Sequence, residues 1–436
     1  MKKYKNILCY SNYTYTIDDD GKQKTIWTKA VQQAINENDE VYFPKGIYFV
    51  DDTIVVSSNK TIRLSPKSEI CKISACRKVL IRNSDVVDGS YELIPEDTAL
   101  TKNIKIIGGI WSEESTCRGK YGVDGVFDEK DSLHGVYTCM LFSGVDNLLL
   151  KNLTLKNAAC FGIQIGRARS VKVTNINFQQ CFADGVHING DINNAIIKNI
   201  SGENGDDLIA INAYDWANST INNGKVCNVK IDGVHALDNG EHKLFRIQPG
   251  IVKGKNGDID CSIKNLYINN VTNVSVFKMY LQTPSYRDKP DGTKVGSLEN
   301  IIFKNIKVKQ NGPGDRQENY LSGDAITGHF GVFEIGSNVT NLVLKNIKAQ
   351  INYDDFKTAH FITVGPKSCY KKEWGIELFD PYVECIVNNI SYKNIKINGN
   401  IITDLRKEIK EVSFGKLYET DNTFGFGKVK DIVKLN

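Results

Sequence analysis

Three aspartates occupy two positions that repeat along the chain. Asp184 follows Ala183, and Asp206 and Asp207 come 22 and 23 residues later, in the sequence Gly-Asp-Asp-Leu-Ile-Ala-Ile. If the two segments are matching parts of neighbouring β-strands, about 4.8 Å apart, their carboxylates are close neighbours. Stacked carboxylates repel each other, so packing alone does not favour them. We interpret them as a site for acid–base chemistry.

The alignment suggests a separate role for each carboxylate. It places His242 beside Asp206, which we expect to keep a proton and act as the acid. Asp184 and Asp207 would hold a water molecule as bases. Inverting glycosidases use such an arrangement, with carboxyl groups roughly 6.5–9.5 Å apart. Because neighbouring side chains in a regular strand point to opposite faces, Asp206 and Asp207 share one groove only if the strand bulges.

Alternative interpretations of these aspartates exist. Asp-Asp and Asp-Gly pairs are common in turns, and acidic turns can bind calcium. For a single aspartate the turn would be the better interpretation. Three aspartates at one pair of turns, with a histidine in register, favour catalysis, because charges clustered in a cleft are typical of active sites.

A second column of residues follows on the opposite side of the same strands. Its members are Gln164, His187, Ala210, Arg246 and Lys278. We expect His187, Arg246 and Lys278 to bind an acidic or hydroxyl-rich sugar, since arginine pairs well with carboxylates. Solvated residues on a strand face are the alternative. Three aromatic residues near the strand ends could stack on a sugar ring or pack under a loop: Tyr214, Trp216 and Tyr280.

A recurring tripeptide of the type Lys-Asn-Ile indicates the repeat that positions these residues. Its asparagines are Asn152, Asn175, Asn199, Asn265, Asn305, Asn346 and Asn394, with Asp232 in a looser copy. Each copy is flanked by short runs with period-2 alternation, which is typical of strands. Strands at this spacing without helical periodicity predict an all-β solenoid, in which the asparagines form a side-chain ladder. The repeat lengthens from 23 residues at its start to 48 at its end. We therefore expect inserted loops that wall in one face.

The ends of the chain differ from the repeat. Residues 25–36 have apolar positions at helical spacing and predict a short amphipathic helix that caps the solenoid. Residues 41–50 predict a strand, a turn and a strand. Residues 401–436 lose the repeat and are expected to form a second cap or a tail. We predict one domain over residues 1–436, with about 1–50 and about 400–436 as its terminal regions.

Composition excludes several classes of protein. The chain has 436 residues and a net charge of +4, which gives no strongly basic field for nucleic acid. It has no apolar run of the ~18 residues that span a membrane. The basic N-terminus is not followed by a secretory core, so we expect a cytoplasmic protein, or a secreted one whose signal has been removed. The 11 cysteines include no C-x-x-C pair, which favours buried free thiols in a reducing compartment.

The two aspartate segments resemble the N-T-D-G and D-D-C-I-A-I motifs of glycoside hydrolase family 28, the polygalacturonase family. Phe43-Pro44-Lys45-Gly46 is similar to the N-terminal region of pectin-active β-helices. The resemblance implies a single-stranded, right-handed parallel β-helix that needs no metal or cofactor. It also implies hydrolysis of α-linked galacturonan and related pectic chains with inversion. Asp206 would be the general acid, and Asp184 and Asp207 the bases.

The chain departs from the family pattern at the substrate motifs. His242 lies between Glu241 and Lys243, where the family has G-H-G. Lys278-Met279-Tyr280 stands where the family has R-I-K, and Arg246 lies one turn early. We therefore predict an inverting, exo-acting glycosidase for pectin-type oligosaccharides, with the sugar and the oligomeric state left open. A β-helix lyase or epimerase and a non-catalytic carbohydrate-binding β-helix are the alternatives.

Overall fold

A computed structural model describes most of the chain. The described residues are 4–19, 21–73, 78–86, 100–116, 138–215, 220–237, 244–254, 256–280, 294–310, 331–351, 360–365, 383–411, 413–415 and 423–436. They contain one α-helix, α1 (Thr28–Glu37), and two 3₁₀ helices, Ile7–Tyr13 and Leu405–Glu408.

The same residues contain 32 β-strands. In chain order they are β1 (Lys5–Asn6), β2 (Tyr15–Asp19), β3 (Lys22–Ile26), β4 (Glu40–Phe43), β5 (Gly46–Val50), β6 (Ile54–Val56), β7 (Thr61–Leu64), β8 (Ser68–Lys72), β9 (Ile81–Asn83), β10 (Thr101–Ile107), β11 (Ile110–Glu113), β12 (Thr138–Ala158), β13 (Phe161–Cys181), β14 (Val186–Asn189), β15 (Ile192–Asn204), β16 (Asp207–Asn212), β17 (Val226–Ala236), β18 (Leu244–Gln248), β19 (Gly250–Gly254), β20 (Gly257–Cys261), β21 (Ile263–Val274), β22 (Val276–Tyr280), β23 (Lys294–Val295), β24 (Ser297–Gln310), β25 (Gly331–Gly336), β26 (Asn338–Ile351), β27 (His360–Val364), β28 (Val383–Ile397), β29 (Asn400–Ile401), β30 (Ile409–Glu411), β31 (Ser413–Gly415) and β32 (Thr423–Lys434).

The strands form a parallel β-helix, which confirms the predicted fold class. Each strand pairs in parallel with its counterpart one turn later, as in the series β15, β17, β21, β24, β26, β28 and β32. A second series contains β14, β16, β18, β22, β25, β27 and β30. Because both series are parallel, equivalent residues of successive turns stack in columns.

Alternating apolar residues fill the interior of the coil. Four phenylalanines of successive turns illustrate the stacking: Phe245, Phe277, Phe333 and Phe361, whose ring centroids are 5.3, 5.1 and 5.4 Å apart in that order. One connected set of buried apolar side chains runs from Ile7 to Val429. This core fixes the register of the strands, since a slip by one residue would turn apolar side chains outward.

The predicted asparagine ladder is present, but it is one of two. In the first ladder Asn305 donates to Asn269 at 3.0 Å, and Asn346 donates to Asn305 at 2.9 Å. Asn265 belongs to the second ladder, where it donates to Asn228 at 2.9 Å. Its placement in the first ladder was therefore wrong. Most of these asparagines have a left-handed backbone, with φ of 55° at both Asn265 and Asn305, a conformation that asparagine tolerates at a bend.

The N-terminal helix begins three residues later than predicted. It buries Ala30, Val31, Ala34 and Ile35 against the first turns of the coil. Ile26, which we counted in the helix, ends β3 instead. That strand pairs antiparallel with β2 in a hairpin that the sequence did not reveal. The strand–turn–strand predicted over residues 41–50 corresponds to β4 and β5.

The C-terminal stretch continues the coil. We expected a cap or tail over residues 401–436. Strand β30 pairs in parallel with β27, and β32 pairs in parallel with β28. These strands therefore add a further turn. The tripeptide repeat is lost there, but the alternating strand pattern persists.

Two further predictions concern membrane-spanning helices and cysteines. No helix among the described residues has the length and apolar character needed to cross a membrane. All eight cysteines in the described part of the chain are free, and five of them are buried: Cys71, Cys139, Cys181, Cys261 and Cys385.

Candidate active site

The register of β14, β16 and β18 places the aspartates as the sequence predicted. Val186 pairs with Ile209, so that Asp184 and Asp207 occupy equivalent positions one turn apart. The backbone N–H of Asp207 donates to Oδ1 of Asp184 at 3.0 Å. In return, the N–H of Gly185 donates to the carbonyl oxygen of Asp207 at 2.9 Å. The two turns are thus joined through the aspartates themselves.

Two glycines allow this close approach. A Cβ atom at Gly185 would lie 2.6 Å from the carbonyl oxygen of Leu208, and one at Gly205 would lie 2.5 Å from that of Phe182. Since the atoms they would meet belong to the backbone, neither site accepts a larger residue without moving the turn. The glycines that flank the aspartates in the motif therefore have a packing role.

The three carboxylates converge. One oxygen each from Asp184, Asp206 and Asp207 lies within 4.8 Å of the others, and all three side chains are buried. The pairing of β16 with β18 shifts register between Asp207 and Ile209. Asp206 lies in the bend before β16, so the alternation of a regular strand does not separate it from Asp207.

Arg246 supplies positive charge to the cluster. Its Nη2 atom lies 2.7 Å from Oδ2 of Asp207 and 3.6 Å from Oδ1 of Asp206. The arginine stacks on Ala210, whose small side chain leaves room, and Lys278 stacks on the arginine one turn later. The neighbouring carboxylates hold the pKa of Arg246 above its usual value despite burial.

Asp207 is the carboxyl group whose protonation changes near neutral pH. Burial raises its pKa to about 7, and the negative charges of Asp206 and Asp184 add to the shift. Arg246 and Lys278 oppose it. Because Asp206 is adjacent, its charge favours the protonated form of Asp207.

His187 holds Asp184 from the opposite side. Its Nδ1 atom lies 2.6 Å from Oδ2 of Asp184, and its Nε2 atom lies 2.8 Å from Oδ2 of Asp215. The ring stacks on Phe161 with centroids 4.1 Å apart. Burial alone would lower the pKa of His187, but its hydrogen bonds to Asp184 and Asp215 raise it to about 9. The imidazolium and two carboxylates therefore form a buried charged triad.

Asp215 was not identified from the sequence. It receives a hydrogen bond of 3.0 Å from Nδ2 of Asn212. Although burial alone would raise the pKa of Asp215, the hydrogen bond and charge of His187 lower it. Asp215 follows β16 in an irregular segment, where neither the repeat nor a motif indicates a partner. The one feature of the sequence that could have indicated Asp215 is its position three residues after Asn212, at the end of a strand with catalytic candidates.

Several residues that we expected to contact substrate are enclosed. His187 is 1% exposed, and both of its ring nitrogens are occupied by carboxylates, so it positions Asp184 instead. Tyr214 packs into the core, and its backbone oxygen accepts a hydrogen bond from Gln248. Arg246 and Lys278 are 4% and 7% exposed. Trp216 and His242 lie outside the described residues, as does the side chain of Tyr280.

The cluster is better suited to proton transfer than to metal binding. Three carboxylate oxygens within 4.8 Å are a donor set that a hard cation such as calcium accepts. However, Arg246 already places a positive charge 2.7 Å from one of them. A divalent ion at the same point would be repelled by the guanidinium, which cannot lose its proton.

The carboxylate spacing bears on the stereochemistry of a glycosidase reaction. The nearest oxygens lie within 4.8 Å, which is less than the roughly 6.5–9.5 Å between carboxyl groups of inverting enzymes. It is nearer to the roughly 5–5.5 Å of retaining enzymes. On the other hand, Asp184 has both oxygens held by donors, His187 and the N–H of Asp207. A carboxylate held in this way is poorly placed to move towards a sugar carbon as a nucleophile, whereas it can still orient water.

Comparison with solved structures relates the coil to two enzymes. A family 28 exopolygalacturonase from Yersinia enterocolitica matches with a TM-score of 0.53 and 14% identity, over 99% of this chain and 78% of that one. A hyperthermoactive exopolygalacturonase from Thermotoga maritima matches with a TM-score of 0.53 and 13% identity, over 92% of this chain and 93% of that one. No family model and no curated protein sequence matches the chain. At these identities the similarity establishes the fold alone.

Proposed function

We propose that this protein is a glycoside hydrolase that cleaves α-linked pectin-type oligosaccharides with inversion. The observation that supports the proposal most strongly is the convergence of three carboxylates from consecutive turns beside one arginine. A solenoid has no packing requirement for such a cluster, and burying these charges costs stability. Its presence therefore favours a role in chemistry.

The geometry suggests how the roles are divided. Asp206, at 4% exposure the most accessible of the three aspartates, donates the proton to the leaving oxygen. It shares that proton with Asp207, whose raised pKa keeps one proton on the pair near neutral pH. Asp184, oriented by His187, accepts a hydrogen bond from the attacking water. Arg246 and Lys278 favour a substrate with a carboxylate, because they add two positive charges beside the reacting groups.

The exo mode of action is a further part of the proposal. The repeats lengthen towards the C-terminus, and loops of that length could close one end of a groove. The exopolygalacturonases of Yersinia and Thermotoga share this fold, which is consistent with the same class of substrate. An exo enzyme releases one small product from each chain end, so the polymer shortens slowly.

The test is product analysis with polygalacturonate and trigalacturonate. We expect reducing ends to appear in step with small products, little early loss of viscosity and no effect of a chelator. Asp206→Asn should lower turnover on the order of several hundred-fold, as loss of a general acid does. Asp146→Asn, which removes a carboxylate on a distant strand, is the control and should leave activity unchanged.

Two other outcomes would replace the proposal. A product that absorbs ultraviolet light through a new double bond, formed only with calcium, would indicate a lyase. Binding of the oligosaccharide without any product, in both the unaltered protein and Asp206→Asn, would indicate a carbohydrate-binding protein.

A further inference from the structure

A second surface of the coil carries stacked positive charges. The sequence Lys-Asn-Ile-Lys occurs four times, and three of these copies, at residues 304–307, 345–348 and 393–396, lie on successive late turns. The asparagines of these three copies belong to the first ladder described above. Their last lysines pair in register across β24, β26 and β28, so that Lys307, Lys348 and Lys396 form one column. All three are exposed.

Within the described residues, the column carries lysine only on the late turns. On the five turns before them the same position is occupied by other polar residues: Thr154, Asn177, Ser201, His235 and Thr272. Neighbouring strands are about 4.8 Å apart, and like charges directly opposite each other are destabilising. Within the described residues, Lys307, Lys348 and Lys396 have no acidic partner. Three unneutralised charges in a row thus carry a cost that the fold does not require.

A cavity adjoins the column. It has a volume of about 820 Å³, and its lining includes Lys307, Lys309, Lys348, Gln310 and Gln350. Strand alternation separates the two glutamines, because Gln310 is 1% exposed and pairs in register with the buried Ile351, whereas Lys309 pairs with the exposed Gln350. The side chains that this surface presents to a ligand are therefore those of the lysines and Gln350.

We propose that this lysine column and its cavity bind an acidic polysaccharide made of uronate sugars. Such a polymer has one carboxylate per ring, at a spacing comparable to that of the strands, and its hydroxyl groups suit the amide of Gln350. The surface lies on the strand series of β24, β26 and β28, whereas the acidic cluster lies on that of β14, β16 and β18. The site is therefore separate from the catalytic candidates, and its binding does not depend on the proposed hydrolysis.

A nucleic acid fits the same surface less well. Surfaces that bind single-stranded nucleic acid combine basic grooves with aromatic side chains on which bases stack. Among the described residues that line the cavity there is no aromatic side chain. The chain's net charge of +4 is also low for a protein that holds a phosphate backbone.

The test measures binding by affinity electrophoresis in gels that contain polygalacturonate. Asp206→Asn is present in every protein compared, so that cleavage cannot alter the gel. Lys307, Lys348 and Lys396 are changed together to Gln. The matched control removes the same total charge by changing three other exposed lysines to Gln. These lysines lie on earlier turns, and each is stacked on an uncharged residue: Lys156, Lys172 and Lys230.

We expect the column variant to bind polygalacturonate roughly tenfold more weakly, since three exposed ion pairs together contribute about 1.4 kcal/mol. The control should change by less than about twofold at the same ionic strength. Gln350→Leu, which leaves the charge unchanged, should also weaken binding, and dextran should not retard any of the proteins.

Three results would overturn the proposal. Equal weakening by the column and control variants would show a general effect of charge. Full binding by both the column variant and Gln350→Leu would remove these residues from the site. Tighter binding of DNA than of polygalacturonate, with the same sensitivity to the column variant, would identify a nucleic-acid surface. Loss of hydrolysis in the product assay, with this binding retained, would contradict only the proposed function.

Discussion

Each aspartate of the cluster has a different set of neighbours. Asp184 is held by His187 and by a backbone N–H, while Asp207 is held by Arg246. Burial and like charges favour the protonated form of Asp207, whereas hydrogen bonds favour the charged form of Asp215. Differences of this kind separate acids from bases in one small site.

The charge of His187 should make the stability of the protein depend on pH. Its pKa is raised to about 9 in the fold, compared with about 6.5 in an unfolded chain. Folding therefore stabilises the charged form. The resulting contribution to the stability of the protein is fully present below pH ~6.5 and is lost as the pH rises towards 9. We expect the free energy of unfolding, measured with urea, to fall on the order of 2 kcal/mol across this window.

Two variants separate this effect from other titrations. His187→Gln should abolish the decrease between pH 6.5 and 9. His235→Gln removes a histidine bonded to Thr272 near the surface and should retain the decrease. If His187→Gln shows the same dependence as the unaltered protein, the buried charged triad is not the cause. Asp207 contributes in a different pH range. Because its pKa is raised, it stabilises the fold in acidic solution, and this contribution is lost as the pH rises from about 4 to 7.

At the scale of elements, the bends are held by asparagine ladders. Asn305 both accepts from Asn346 and donates to Asn269, and its φ is 55°. Asn305→Ala removes two hydrogen bonds and puts a poorly suited residue in the left-handed region. We expect it to lower the free energy of unfolding by on the order of 3 kcal/mol.

Asn305→Gly distinguishes the two contributions to this cost. Glycine accepts the backbone conformation but makes no side-chain hydrogen bond, so its cost should be about 1 kcal/mol smaller. Urea unfolding of the three proteins measures both differences. Alanine and glycine variants that are as stable as the unaltered protein would show that the ladder accompanies the bend without stabilising it.

The sequence revealed the strands better than the bends. Alternating apolar residues fix both the strands and their register, which is why the convergence of Asp184 with Asp207 was predictable. The tripeptide around Asn265 looks like the others, yet it lies at a different bend, because both bends use asparagine for the same conformational reason. The hairpin of β2 and β3 was missed because its residues are mainly polar.

Partners that come from irregular segments were also beyond sequence reasoning. Asp215 follows β16 without a periodic pattern, and it meets His187 after the bend at Ala213 and Tyr214. The role of His187 followed from that contact. Its position in the column was predicted, but its enclosure between two carboxylates was not.

The whole molecule combines one continuous core with differently charged faces. The core runs from Ile7 to Val429 and sets all columns at once. One strand series brings together Asp184, Asp206 and Asp207 with Arg246, and another aligns the lysines of the late turns. A solenoid makes both possible, because a residue type repeated once per turn becomes a line on the surface.

The central claim is that the aspartate cluster hydrolyses a glycosidic bond with inversion. The most direct measurement follows the anomeric protons of the product by NMR during the first minutes of trigalacturonate cleavage. The account predicts that the β-anomer appears first from the α-linked substrate, and that Asp206→Asn forms it on the order of several hundred-fold more slowly. Initial release of the α-anomer would show retention, in agreement with the short carboxylate spacing. That result, or an unsaturated product, would contradict the account.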